Sequence, residues 1–141
     1  MTVIVGIDGS DQSAEALQFA AGEAKLRRVP LRVVHAFEMP ITGSWTAGAV
    51  VDPEPFERVA RQLVDGALTA LGPELEGIDV ERVVEPGGVV SVLIDRAEKD
   101  DLVVVGSRGR GGFKGLLLGS VSQQVMLHAP CPVVVVRGGT D

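Results

Sequence analysis

Two short stretches hold the residue types and spacings that could do chemistry. The longer is Gly106-Ser107-Arg108-Gly109-Arg110-Gly111-Gly112-Phe113-Lys114-Gly115-Leu116-Leu117-Leu118-Gly119-Ser120-Val121-Ser122-Gln123. Glycines let backbone N–H groups converge on an anion without interference from a Cβ. Gly119-Ser120 opens a helical pattern, and Ser120 and Gln123 have the spacing of a capping box. The first N–H groups of such a helix, together with its dipole, make an anion site. The hydroxyls of Ser120 and Ser122 can add donors there, and Arg108, Arg110 and Lys114 supply positive charge. The alternative is a glycine-rich surface loop, but strand, glycines, bases and a helix start coincide. The shorter stretch is Gly6-Ile7-Asp8-Gly9-Ser10. Asp8 ends an apolar run, Gly9 permits a turn, and Ser10 can cap the following helix with Asp11 in its positive first turn. Asp8 could bind a ribose hydroxyl or a metal-bridged phosphate; taken alone, it reads as a strand-to-helix turn residue.

These stretches need elements to position them. Val- and Ile-rich runs cover residues 3–8, 31–37, 78–84, 101–107 and 132–137. Runs such as Val103-Val104-Val105 and Val133-Val134-Val135-Val136 lack polar alternation, as expected of strands buried on both faces of a parallel sheet. Helical patterns lie between them. Over residues 13–28, Ala14, Leu17, Ala21 and Ala24 share a face. Over 55–71 the set is Phe56, Val59, Ala60, Leu63, Ala67 and Leu71. A third helix follows Pro86-Gly87-Gly88 with Val89, Leu93, Ile94 and Ala97 inward, and a fourth covers roughly 121–128 and stops before Pro130. The alternation βαβαβαβαβ predicts an α/β fold: one open five-stranded parallel sheet with four helices on both faces and right-handed crossovers. In such sheets ligands sit beyond the C-terminal strand ends, where strand order reverses. One connection is long. Glu38 to Glu54 holds Pro40, Gly43, Gly48, Pro53 and the lone tryptophan, Trp45. It reads either as a loose excursion or as a lid over a ligand.

Composition bounds the class. The chain has 141 residues, a net charge of -6 and one cysteine. The length suits one domain spanning residues 1–141, which buries ~70% of its unfolded surface without disulfide or zinc. A single thiol fits a reducing compartment. An acidic total argues against general nucleic-acid or membrane-surface binding. Met1-Thr2-Val3-Ile4-Val5 enters a strand with no basic leader, and the uncharged stretch near residues 115–136 is interrupted by Ser, Gln and Pro. The expectation is a soluble cytoplasmic protein with no membrane or nucleic-acid partner. Charge is uneven, however. No Asp or Glu stands between Asp101 and Asp141, an interval that carries +4 while the remainder carries -10. A local basic site on an acidic chain suits a small anion.

Other phosphate motifs do not match. Gly115 follows Lys114 where a P-loop needs Ser or Thr, and Gly6-x-x-Gly9 is not the dinucleotide fingerprint. No His-x-Gly-His or Ser-Gly-Gly-x-Asp-Ser string is present, and Asp8 lacks the second acid of a response regulator. His35 at a strand end reads as packed or hydrogen-bonded. His128 reads as a helix-dipole partner and Cys131 as a small buried residue. Trp45 suits base stacking or loop packing.

Nearly the whole chain resembles the universal stress protein family. The resemblance rests on Val5-Gly6-Ile7-Asp8-Gly9-Ser10, Leu31-Arg32-Val33-Val34-His35-Ala36, the glycine segment, and His128-Ala129-Pro130-Cys131-Pro132-Val133. The family's ATP-binding pattern, G-x2-G-x9-G-[S/T], is matched by Gly106, Gly109, Gly119 and Ser120. The resemblance implies a Rossmann-like sheet of order 3-2-1-4-5, which sets the first and fourth strands side by side. It implies that Gly6, Ile7 and Asp8 border the nucleotide, with Asp8 near ribose and phosphates and as a possible Mg²⁺ contact through them. It implies that Ala36 lies by the adenine, that Gly106, Ser107, Arg108 and Gly109 pass under sugar and phosphates, and that Gly119, Ser120, Val121 and Ser122 hold the phosphates. ATP, with ADP or AMP as variants, is the implied cofactor. A homodimer through Val133 to Arg137 is the implied assembly, which agrees with four valines on an edge needing cover.

The resulting expectation is a nucleotide-dependent regulatory, stress-response protein acting on an unidentified protein partner, with no catalytic residue assigned. Two alternatives stand beside it. One is a slow ATPase or self-phosphorylating protein in which Asp8 holds Mg²⁺ and Ser120 or Ser122 accepts phosphate. The other is a dimeric interaction module whose nucleotide is structural.

Overall fold

Five parallel strands form one sheet in the order β3-β2-β1-β4-β5. In chain order the elements are β1 (Val3–Gly6), α1 (Asp11–Arg27), β2 (Leu31–Phe37), α2 (Glu54–Leu71), β3 (Val80–Pro86), α3 (Val89–Asp95), β4 (Leu102–Gly106), α4 (Ser120–His128) and β5 (Val133–Val136). A short 3-10 turn, Gly72–Leu75, follows α2. The computed structural model describes residues 1–39, 52–107 and 119–138. Most of the long connection Glu38 to Glu54, with Trp45, and the segment carrying Arg108, Gly109, Arg110 and Lys114 lie outside the described residues.

The valine runs produce this sheet because both of its faces are covered. Val3, Val5, Leu31, Val33, Leu102 and Val104 pack against α1 and α2, while Ile4, Val34, Val103 and Val105 pack against α3 and α4. Alternate residues of one strand thus enter two cores, so polar alternation is absent. Each buried Val or Leu contributes about 1.5–3 kcal/mol relative to exposure. Residues 101–107 are the extreme case, buried at every position but Gly106.

Several expected boundaries and faces differ. The first strand stops at Gly6 although Ile7 N–H still reaches Val34 O at 2.9 Å, because Asp8 N–H turns to Ser13 Oγ at 3.3 Å. The third strand starts at Val80, not Ile78, because Ile78 N–H closes a turn onto Leu75 O across Gly77. On α1 the buried set is Ser13, Ala16, Leu17, Ala20, Ala21 and Ala24, with Ala14 outside it. On α2 it is Ala60, Val64 and Leu68, with Phe56 and Val59 exposed. The cause is common to both helices: their apolar arcs are wider than the sheet contact. Leu63, Ala67 and Leu71 are partly buried against the same core as expected, and Leu63 and Ala67, with the exposed Ala14, also line a groove of about 330 Å³ beside Ile7, Gly9 and Ser10. No helix among the described residues is long and apolar enough to cross a membrane.

The end of the sheet away from the strand exits is tied by one buried carboxylate. Asp101 Oδ1 accepts Thr2 N–H at 2.9 Å and Oδ2 accepts Glu98 N–H at 2.9 Å. Replacing Asp101 with Ala leaves two partly buried donors unpaired and should cost about 2 kcal/mol in chemical denaturation. A loss below about 0.5 kcal/mol, the range of unimportant surface sites, would show that the carboxylate does not organise this end.

Candidate functional site

Two strands of the sheet leave side by side. Val5 is in register with Val104, so β1 ends at Gly6 beside the end of β4. Beyond Gly6 the chain is held by local bonds. Asp8 Oδ1 accepts Ser10 N–H at 2.9 Å across Gly9, whose φ of 86° is readily taken only by glycine. Ser10 caps α1 by accepting Ser13 N–H at 3.2 Å, and Ser13 Oγ donates back to Ser10 O at 3.0 Å. Asp11 occupies the first turn as expected. His35 Nδ1 lies 2.8 Å from Ile7 O. A carbonyl can only accept, so Nδ1 carries the proton and the ring anchors the turn from β2. This agrees with the hydrogen-bonded reading of His35. The backbone around Asp8 is therefore fixed from three directions.

The exit of β4 is organised by Ser107, which is 3% exposed. Its N–H donates to Val136 O at 2.8 Å. Its carbonyl accepts Gly119 N–H at 2.6 Å and the Ser122 hydroxyl at 3.1 Å. Its own hydroxyl donates to Gln12 Oε1 at 2.9 Å. The two ends of the glycine-rich segment thus meet in one hydrogen bond, which closes the segment at its base.

Helix α4 starts one residue earlier than a Ser120 cap would place it. Gly119 is the N-cap, with φ -79° and ψ 171°, and no side chain bonds to the first turn. The helix begins with Gln123 N–H on Gly119 O at 3.1 Å. Ser120 is the first helical residue, so the expected capping box is not formed. The Ser122 hydroxyl, 2.9 Å from Gly119 O and turned onto Ser107 O, braces the helix start rather than facing outward. The first N–H groups of a helix have no intrahelical acceptor. Those of Ser120, Val121 and Ser122 start a helix whose N-cap, Gly119, is bonded to the end of β4.

The glycines have separate causes. A Cβ on Gly106 would come 3.2 Å from the Gln12 carbonyl oxygen, so Gly106 lets the first turn of α1 lie against β4. A Cβ on Gly6 would come 3.0 Å from Leu93 Cδ1, on the opposite sheet face. Gly6, Asp8, Gly106, Ser107 and the start of α4 are therefore gathered at the β1/β4 exits. Ala36 stands at the end of β2, the neighbour of β1 on its other side, and packs with the α3/α4 core. Arg108 and Gly109 lie outside the described residues. Gln12 was not singled out in the sequence; a glutamine in a first helical turn carries no pattern that distinguishes it from a solvated residue. Burial pushes the Cys131 thiol up, and the charge of Asp101 adds to this, so the residue is a poor nucleophile. No cluster of three His, Cys, Asp or Glu with metal-binding geometry occurs among the described residues.

Comparison with known proteins gives a consistent picture. The universal stress protein family model matches residues 1–137. Universal stress protein YxiE of Bacillus subtilis is 35% identical over 144 residues, covering 96% of this chain and 97% of its own. Universal stress protein Rv2623 of Mycobacterium tuberculosis is 36% identical, but the match covers 96% of this chain and 44% of the relative, so the chain spans about half its length. Among solved structures, a universal stress protein in complex with cAMP is 30% identical with TM-score 0.67, covering 99% of this chain and 98% of its own. One from Archaeoglobus fulgidus in complex with dAMP is 26% identical with TM-score 0.67, covering 96% and 97%. UspA from Lactobacillus plantarum, 21% identical with TM-score 0.72, shares the fold.

The two strand-end glycines should respond differently to alanine. Gly106→Ala presses on backbone and should cost about 1–3 kcal/mol, as overpacking does. Gly6→Ala meets the movable end of Leu93 and should cost less. Thermal melts that rank them the other way would refute the packing account. Cys131 should react with iodoacetamide at pH 8 more slowly than a peptide thiol; an equal rate would contradict its burial.

Proposed function

The chain belongs to the universal stress protein family, and on that premise we propose that it binds an adenine nucleotide at the β1/β4 exits and acts through that binding rather than through turnover. The observation that carries this reading is the start of α4. It has no side-chain cap, it is bonded to the end of β4, and a segment bearing Arg108, Arg110 and Lys114 leads into it. Backbone N–H groups of Ser120, Val121 and Ser122 would take the phosphates. Gly106, Ser107, Arg108, Gly109 and Gly119 would form the bed beneath them, with Gly6, Ile7 and Asp8 along the border and Ala36 at the base. ATP with Mg²⁺ reached by Asp8 through the phosphates is the fullest form of the ligand, and ADP or AMP would use the same donors. Relatives solved with cAMP and dAMP support an adenine ligand. A lone unpaired thiol, Cys131, suits a cytoplasmic setting.

A homodimer through β5 belongs to the same reading, and the contrast between the two sheet edges supports it. The β3 edge carries Glu81, Arg82, Glu85 and Pro86, residues that protect an edge from pairing. The β5 edge is four half-exposed valines. Gln12, Phe19 and Leu26 recur every seven residues on one side of α1, the side that reaches Ser107 and Gly138 beside β5. Phe19 and Leu26 are exposed there, as are Met126 and Leu127 on α4.

Nucleotide-stripped protein should gain several degrees in melting temperature with Mg-ATP, equivalent to about 2.7 kcal/mol at a hundredfold excess over Kd. Ser120→Pro deletes one donor N–H at a position where proline is tolerated. It should keep the unliganded melting temperature and lose much of the shift, and Gly109→Ala should lose it as well. No shift with any adenine nucleotide would overturn the reading. Val134→Arg should convert a dimer to a monomer in light scattering; a wild-type monomer would overturn the β5 interface.

A further inference from the structure

Gln12 meets three parts of the β4 exit. Its Oε1 accepts the Ser107 hydroxyl at 2.9 Å. Its backbone carbonyl faces the position that a Gly106 Cβ would fill, and its amide nitrogen stands 2.9 Å from the corresponding position on Gly138, just past β5. The side chain is thus wedged between the end of β4, the exit of β5 and the first turn of α1. Ser107, in turn, uses its carbonyl to hold both Gly119 N–H and the Ser122 hydroxyl.

We propose that Gln12 is a positioning residue for the ligand site: by holding the Ser107 hydroxyl it fixes the carbonyl that sets where α4 begins. The inference rests on the nucleotide reading above and adds to it a residue outside the glycine motif. The physical reason is rigidity. Ser107 is buried, so a hydroxyl deprived of Gln12 must turn to find another acceptor, and leaving it unpaired is costly. Hydrogen bonds from N–H to phosphate are short and directional, so a small displacement of Ser120 and Val121 weakens them. Gln12 touches no ligand itself; it acts through Ser107.

The test is a double-mutant cycle on nucleotide affinity in the full chain. Gln12→Met keeps the side-chain length and removes the acceptor, and Ser107→Ala removes the donor from the other side of the same bond. Each single variant should raise the Kd for Mg-ATP about tenfold, and the double variant should be no worse than either single one. Asp101→Asn, remote from the site, serves as a control for lost stability alone and should leave Kd unchanged. Wild-type binding that is matched by Gln12→Met, or fully additive effects in the cycle, would overturn this inference and leave the nucleotide reading standing. A wild-type chain that binds no adenine nucleotide would overturn both. Ser107→Ala carries the test should Gln12→Met not fold, and unchanged affinity in it would equally overturn the proposal.

Discussion

The carbonyl of Ser107 is the point on which the candidate site depends. It takes two donors, the Gly119 N–H and the Ser122 hydroxyl, and thereby brings the end of β4 to the start of α4. Between Ser107 and Gly119 the sequence is basic and glycine-rich, and the two ends of that segment meet at this one acceptor. The N–H of the same residue pairs with Val136 and its hydroxyl with Gln12. A single buried serine therefore joins two strands, two helices and the base of the segment. Losing any of these bonds in the interior leaves a polar group unpaired, which is why the arrangement is held firmly.

The sheet supplies the remaining constraint. Strand order reverses between β1 and β4, so the helices that follow these two neighbours lie on opposite faces of the sheet. Gly6 and Gly106 allow the helices to approach the strand ends from both faces, with Leu93 on one side and the first turn of α1 on the other. Asp8 is presented at the rim by a turn that Gly9, Ser10, Ser13 and His35 fix together. The described residues thus form a hydrogen-bonded floor at the β1/β4 exits.

Much of this was legible in the residues, and the misses have physical causes. Short, β-branched valine runs bounded by turn residues fit strands covered on both faces, and with the helical patterns between them they give the parallel sheet. The motif spacing located the β4 exit and the start of α4, and the serine after Gly9 announced a cap. The inward faces of α1 and α2 differ from the pattern at Ala14, Phe56 and Val59, which are exposed, because each helix is apolar over an arc wider than the sheet needs, while Leu63, Ala67 and Leu71 do pack on the core. Gly119, rather than Ser120, is the N-cap of α4, and its own N–H is committed to Ser107 O. The missing Cβ of Gly106 also makes room for Gln12, a packing role that the glycine spacing does not announce. Close approaches of this kind arise from residues some 95 positions apart in the chain, and one sequence contains no signal for them.

The central claim is that phosphates are held by the backbone at the start of α4. Amide resonances of the protein titrated with Mg-ATP test it most directly. The largest shifts, with slowed solvent exchange, are expected at Ser120, Val121 and Ser122, accompanied by Asp8. Saturable binding that leaves those three amides unmoved and shifts residues elsewhere would contradict it.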